Sequence, residues 1–401
     1  MSRIGSAIVA GHLCLDIIPR LDHSALNKIE TQLLPGRLIE VGPATFSTGG
    51  PVSNTGLVLH RLGVPTILMG KTGADLFGQA VRQIIDAQDP YLSTGISVDE
   101  STNTSYTLII SPPGVDRIFL HCPGANDTFG VDNVDFERLR KASLFHFGYP
   151  PIMRRMYRRQ GAELSEIFRR ARATGVTTAL DMSLPDPASE SGRADWGKIL
   201  KSTLPYVDVF LPSIDELLYM LHREVYEICQ AGEGVKQLLL KTPGLLPDLA
   251  QELLEMGVKV VAIKLGESGL YLRTGGHQAI QALGRGGPTD AAAWSNRELW
   301  APCFKVVVVG TTGAGDATIA GFLSGLLRAM SPAEALTAAV GVGACNVEAA
   351  DALSGVPSWP VVQQRILAGW ERRPLDLTFA GWRWDAEAGV WIGPRDGEAV
   401  G

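Results

Sequence analysis

VVVVGTTGAGDATIAGFLSGLLRAM, residues 306–330, carries a β-branched run into a glycine-rich turn that ends in an acid just as a helix of small residues begins. Val306 to Val309 read as a fully buried parallel strand. Gly313 and Gly315 permit backbone that side chains would block, and Ala317 opens apolar spacing of helical period. A strand, turn and helix in this order point four successive N–H groups, from Gly313 through Asp316, at one spot. The positive end of the helix dipole adds to their attraction for an anion. An acid there would repel a bound phosphate, so its use lies with a neutral partner, the hydroxyl that attacks a phosphoryl group and must lose its proton. Read without function, the same turn is merely closed by its glycines and capped by Asp316. It is not a Walker A loop, because no Lys-Ser or Lys-Thr follows the glycines. It is not GxGxxG either, because the order is GTTGAGD and the position is late in the chain.

The 401 residues are 45% hydrophobic and 19% charged, enough to bury the core of one large or two medium domains. A formal net charge of -6 gives no basic excess for a nucleic-acid partner, and the arginines between 154 and 172 read as a solvated helix face. Cys14, Cys122, Cys229, Cys303 and Cys345 are odd in number and show neither CxxC nor His spacing, which reads as reduced thiols of a cytoplasmic protein. The N-terminus passes straight into a strand pattern and no apolar run reaches membrane-spanning length, so no membrane partner is expected.

Strands and helices alternate along most of the chain, which predicts an α/β fold with a mostly parallel sheet covered on both faces. The expected strands are 7–9, 66–70, 144–148, 177–181, 207–211, 258–265 and 305–309. The expected helices lie near 52–62, 76–87, 160–174, 214–221, 246–256 and 332–348. Residues 13–48 and 99–123 break this rhythm with alternating patterns and a SPPGVDR turn, and are expected to form a small separate sheet, a lid that keeps water from a reactive phosphate. GRGGPTDAAAWSN at 284–296 reads as a surface loop. Residues 376–401 form a Trp-rich extension in which Trp382, Trp384 and Trp391 are expected to pack on the body through a short hairpin.

Several segments, in order, resemble one family, the ribokinase-like or PfkB sugar kinases, over roughly residues 5–370. AGHLCLDII resembles the family's opening strand and STGGPVSNTGLVLHRLG its first signature. GKTGADLFGQAV fits its GxxGxDxxG segment, and DRIFLHCPGAN its returning lid strand. LPSIDEL stands at its Asn-x-x-Glu motif, KLGESG at its nucleotide-contacting strand end and TTGAGD at its second signature. The fold so implied is a three-layer α/β/α body, residues 1–375, with a small β-sheet lid. The activity implied is ATP-dependent phosphorylation of a sugar hydroxyl, with Mg2+, and lid edges that pair two copies into a homodimer.

Carried over residue by residue, the resemblance places Asp16, Gly49, Gly50 and Asn54 at the sugar and Asp316 at the attacking hydroxyl, with the amides of Gly313, Ala314 and Gly315 around the phosphoryl group. It places Glu216 near Mg2+, and Ser213, Lys264, Gly266, Gly269, Thr311, Gly343 and Asn346 along the nucleotide. The residue chemistry fits these places. A carboxylate at 16 accepts two hydrogen bonds from vicinal hydroxyls, and Asn54 offers both a donor and an acceptor. Glu216 can hold Mg2+ through waters or simply favour the helix dipole. Lys264 pairs with a phosphate or is a solvated strand end. Two departures stand out: Ser213 replaces the family's Asn, and Gly310 stands where many members have an Asp, leaving only backbone carbonyls for a monovalent cation. A nucleoside kinase of the same fold, with Phe46, Tyr106 and Phe119 facing a base, and a catalytically silent sugar-binding protein are the alternatives. A Rossmann dehydrogenase lacks its early GxGxxG here.

Overall fold

Short apolar runs without polar alternation, Ala7–Gly11 and Leu144–Gly148, are buried along their whole length and pair in parallel, as strands between two helix layers must. The computed structural model describes residues 4–21, 35–36, 38–111, 118–232, 234–377 and 381–398. Its main sheet has ten strands in the order Arg383–Asp385, Val390–Ile392, Glu298–Ala301, Leu270–Thr274, Val260–Lys264, Val209–Phe210, Thr177–Leu180, Leu144–Gly148, Ala7–Gly11 and Thr66–Met69. From Val260–Lys264 to Thr66–Met69 the strands are parallel, and the others join antiparallel at one side.

Consecutive residues of these strands feed opposite faces, so the core lies in two halves. Val9 and Leu144 pack with Val58, Leu59 and Phe322 on one face. Ile8, Phe145 and Phe147 pack with Leu164 and Phe168 on the other. Helix starts follow local rules. Pro51 opens helix Pro51–Arg61 at a position where its missing N–H costs nothing, and Ser331 with Glu334 forms a capping box before Pro332–Asn346. Asp75 of the GADLFG segment caps Leu76–Asp86 through Gly78 N–H at 2.8 Å. Its carboxylate also accepts from Thr104 N–H and hydroxyl, so this motif ties the helix to the chain entering the lid.

The lid is a separate four-stranded sheet in the order Ala44–Gly49, Cys14–Pro19, Tyr106–Ile110, Ile118–Cys122. Its central pair is parallel and its outer pairs antiparallel. The SPPGVDR turn lies, from residue 112 onward, outside the described residues. Among the described residues no helix is long and apolar enough to cross a membrane, and all five cysteines are free.

The expected buried strand at 305–309 is not one. Val307, Val308 and Val309 are 81%, 52% and 62% exposed. The segment runs beside the end of helix Pro332–Asn346, where the N–H groups of Val309 and Gly310 donate to the Val347 carbonyl. Its apolar run is a wall facing a cleft. Two antiparallel strands, Leu270–Thr274 and Glu298–Ala301, take the places beyond Val260–Lys264 instead. The stretch 284–296 has no helix or strand, yet Trp294 within it is buried and donates to the Met330 carbonyl.

The Trp-rich end is a hairpin, Arg383–Asp385 with Val390–Ile392, added to the edge strand Glu298–Ala301. Trp382 packs edge-on against Tyr271 and Trp300, with ring centroids 6.0 and 5.7 Å away. Replacing a buried indole with a methyl leaves a cavity, so Trp382→Ala is expected to lower unfolding stability by about 3–5 kcal/mol. Urea unfolding measures the loss, and an unchanged midpoint would show that the tail contributes nothing to the body.

Candidate active site

Gly313 adopts φ 71°, a left-handed turn that glycine enters without strain, and helix Ala314–Leu327 follows at once. Asp316 lies in its first turn, only 2% exposed. Oδ2 accepts from Asn54 Nδ2 at 2.9 Å and from the Tyr149 hydroxyl at 3.0 Å, and Oδ1 accepts from the Thr55 hydroxyl at 3.3 Å. Burial pushes the Asp316 carboxyl above its ordinary range, and the donors from Asn54, Tyr149 and Thr55, with the charge of Lys264, pull the other way. Asn54 and Thr55 come from helix Pro51–Arg61, and Tyr149 follows strand Leu144–Gly148, so three elements converge on one carboxylate.

Two cavities meet at this turn. One, of about 260 Å3, is walled by Val306, Val308, Val340 and Val347 and includes Ala314 and Gly315. The other, of about 780 Å3, is lined by His12, Asp16, Gly50, Tyr149, His121 and Thr312. Thr311 lines the first and Thr312 the second, so the turn is the partition between them.

The larger cavity is acidic. Asp16 stands where the lid strand Cys14–Pro19 leaves the body, and a Cβ on Gly49 would run into its carboxylate, which explains a glycine there. Burial raises the Asp16 carboxyl to about 6, with hydrogen bonds from Cys14 and Thr107 opposing the rise. Asp127 and Asp186 also line the cavity, and no Lys or Arg does among the described residues. His12 and His121 face each other with Nε2 atoms 3.4 Å apart, and Thr107 meets His121 Nδ1 at 3.0 Å. Burial holds both imidazoles below their usual titration range, so they are uncharged hydrogen-bonding groups at neutral pH.

Beside the smaller cavity, Lys264 Nζ pairs with Asp181 Oδ1 at 2.5 Å. Burial pushes the Asp181 carboxyl up and the adjacent ammonium opposes it, while Asp181 Oδ2 is buried with no hydrogen-bond partner.

Most residues singled out by sequence gather here. Asp16 and Gly50 line the larger cavity. Lys264, Gly266, Gly269, Thr311 and Gly343 line the smaller one. Others are placed differently. Asn54 turns to Asp316 instead of lining the larger cavity. Ser213 caps helix Ile214–Leu221, with Ser213 N–H donating to Glu216 Oε2 at 2.6 Å, and lines neither cavity. Asn346 is fully buried, donates to the Ala352 carbonyl at 2.8 Å and is not among the residues lining either cavity. Lys264 is no solvated strand end. Sequence reasoning missed Tyr149, Thr55, Asp181, His12 and His121. Asp181 alone carried a signal, as an acid at the carboxyl end of an expected parallel strand, where ligands of open α/β sheets bind.

A layered α/β body with a β-sheet lid over the cleft is the ribokinase-like fold. The chain belongs to the pfkB family of carbohydrate kinases, whose model matches residues 9–359. It is 27% identical over 299 residues to an uncharacterized sugar kinase of Archaeoglobus fulgidus, covering 75% of this chain and 98% of that one. It is 24% identical over 315 residues to the ATP-dependent ribose-1-phosphate kinase of Halopiger xanaduensis, covering 79% of this chain and 82% of that one. Among solved structures, Arabidopsis thaliana ribokinase complexed with ribose and ATP matches with a TM-score of 0.64 at 18% identity, over 90% of this chain and 98% of that one.

The raised Asp16 carboxyl has a measurable cost. A folded-state value above the unfolded one favours folding while the group is protonated, and that contribution is lost as pH rises from about 4 through about 6. Asp16→Asn is therefore expected to stabilise the protein at pH 8 by up to about 3 kcal/mol, and to match the wild type near pH 4. Urea unfolding at the two pH values tests this; equal stability at pH 8 would mean that the site does not strain the carboxylate.

Proposed function

We propose that this chain uses ATP to phosphorylate a hydroxyl of an uncharged sugar or related polyol. One observation carries the reading: adjacent residues of one turn line two cavities, and a buried carboxylate lies one helical turn beyond. A nucleotide in the smaller, valine-walled cavity and a sugar in the larger, polar one would meet at the amides of Gly313, Ala314 and Gly315. Asp316 takes the proton of the attacking hydroxyl, and burial brings its pKa towards the working pH of a base. The amides and the helix dipole stabilise charge on the phosphoryl group in transfer, so positioning and electrostatics supply most of the acceleration.

The residues present fit the expected ligands. Side chains on Gly266 and Gly315 would meet little protein, so the glycines leave space for a nucleotide. Mg2+, when bound, neutralises charge on the phosphates. Glu216 and Asp181 would hold it, since Asp181 Oδ2 is buried and unpartnered and only Oε2 of Glu216 serves the helix cap. A side chain at Gly310 would meet the Ala349–Ala350 backbone, so a monovalent cation there has carbonyls alone to bind.

Asp16 and Asp186 favour an uncharged acceptor over a sugar phosphate or sugar acid, whereas Arg154 and Arg158 offset part of the charge of Asp127. Phe119 and Tyr157 in the same lining support a nucleoside as the second acceptor class. Pairing of two copies through the lid is supported by exposed Phe46, Ile118 and Leu120 on its two edge strands. Sedimentation should then give a dimer that Leu120→Lys converts to monomer; a monomeric wild type removes this part.

Release of ADP over a panel of sugars, nucleosides and their phosphates tests the reaction itself. Asp316→Asn is expected to lower kcat by about 10²–10⁴ with ATP affinity nearly intact. Asp16→Ala should mainly raise KM for the sugar. Wild-type turnover by the Asp316 variant would refute the proton-accepting role.

A further inference from the structure

Among the described residues, Tyr149 alone both lines the larger cavity and hydrogen-bonds to the Asp316 carboxylate. Its side chain lines the larger cavity, and its hydroxyl donates to Asp316 Oδ2 at 3.0 Å. The backbone there is unusual. Tyr149 has φ 61° and ψ 43°, left-handed values that burden a bulky aromatic residue, directly after Gly148 and before Pro150-Pro151. Such strain persists only where the surroundings over-determine it, and it gathers at functional sites. The neighbouring contacts account for it. A Cβ on Gly148 would run into the Pro51 ring, so the strand end abuts helix Pro51–Arg61, and the turn then carries the phenol over the base.

An acceptor hydroxyl must come within about 3 Å of a base oxygen to give up its proton. Oδ1 of Asp316 faces Thr55, and Oδ2 already accepts from Asn54 and Tyr149. Asn54 and Thr55 approach from the helix side, whereas Tyr149 approaches from the cavity side, the route by which a substrate arrives.

We propose that Tyr149 is a positioning residue that stands in for the acceptor: with the larger cavity empty its hydroxyl occupies Oδ2 of Asp316 and keeps water away, and an arriving sugar hydroxyl displaces it. The inference rests on the reading of Asp316 as the base. Its consequence is coupling of ATP consumption to the presence of a sugar. Water at Oδ2 would pass a proton to Asp316 as its oxygen bonds to the γ-phosphorus and the bond to ADP breaks, releasing inorganic phosphate. Tyr149 withholds that place from water. The phenol is a poor nucleophile itself, because burial and the nearby carboxylates of Asp316, Asp181 and Glu216 raise its pKa and keep the proton in place.

Tyr149→Phe keeps the ring and removes the placeholder, leaving room for one water oxygen beside Oδ2. With no sugar present, this variant is expected to release phosphate from Mg-ATP at least about tenfold faster than the wild type, within the range a positioned base supplies. The gain should vanish in the Tyr149→Phe, Asp316→Asn double variant. A second readout separates this role from a structural one. Removing a donor to the ionised carboxylate raises the Asp316 pKa of the sugar-free enzyme, so the acid limb of kcat/KM for the sugar should move to higher pH, while that of kcat, where the sugar has already displaced the phenol, stays in place, with Lys264, Asp181 and Glu216 around it unchanged. Equal phosphate release by Tyr149→Phe and wild type overturns the inference, as does a gain that survives in the double variant. Sugar phosphorylation by the wild type, abolished in Asp316→Asn, is scored separately, so loss of the placeholder role leaves the kinase reading standing.

Discussion

The site is organised by one demand: a carboxylate taken out of water at the head of a helix must be given donors from elsewhere. Asp316 has the amides of its own first turn and the helix dipole nearby, but its oxygens are satisfied by Asn54, Thr55 and Tyr149. Those partners sit more than 160 residues away in sequence, and they meet only because the end of strand Leu144–Gly148 abuts the start of helix Pro51–Arg61. The glycine at 148 permits that approach. Fold and site therefore share the same contacts, and a shift of either element would leave a buried charge without its donors, which is costly in a dry environment.

The opposite logic governs the acceptor cavity. Asp16 is half-buried, no Lys or Arg among the described residues lines its cavity, and its hydrogen bonds come from Cys14 and Thr107. A thiol is a weak donor, so this carboxylate is only weakly compensated by the protein itself. On the proposed reaction hydroxyls of a polyol would complete its hydrogen bonding, and the imidazoles of His12 and His121 lining the same cavity add further hydrogen-bonding groups. The strain is consistent with a binding site kept ready at the expense of stability.

Much of the architecture was legible because local pattern and global packing agree. Strand Leu144–Gly148 and helix Ile214–Leu221 fall at the limits read from sequence, because their apolar residues supply most of their buried positions. Val306 to Val309 were misread because a β-branched run that faces a ligand cleft has the same composition as one inside a sheet. Leu270–Thr274 escaped notice because the KLGESG segment was read only as a strand end, although its glycines turn the chain straight back on itself. At the site, the glycine-rich turn and Asp16 were visible as motifs. Tyr149 was not, because nothing in GYPP reveals that an aromatic residue will take left-handed backbone. Asn346 and Ser213 were assigned to the nucleotide by position in a motif, whereas the Ser213 hydroxyl caps a helix and the Asn346 amide ties down the loop carbonyl of Ala352.

The two cavities differ in a way that fits a directional reaction. The smaller one has apolar walls, and its exposed valines are the kind of surface that a flat heterocycle covers while the turn's amides take the charged end. The larger one is lined by Asp16, Asp127 and Asp186, with Arg154 and Arg158 offsetting part of the charge of Asp127, and on the proposed reaction it would receive the uncharged hydroxyl. A single turn, with Thr311 on one side and Thr312 on the other, thus separates two solvation regimes as well as two ligands. On the proposed reaction, sorting by charge would place each reactant in its own compartment before Asp316 is engaged, with the same backbone proposed to hold the phosphoryl group.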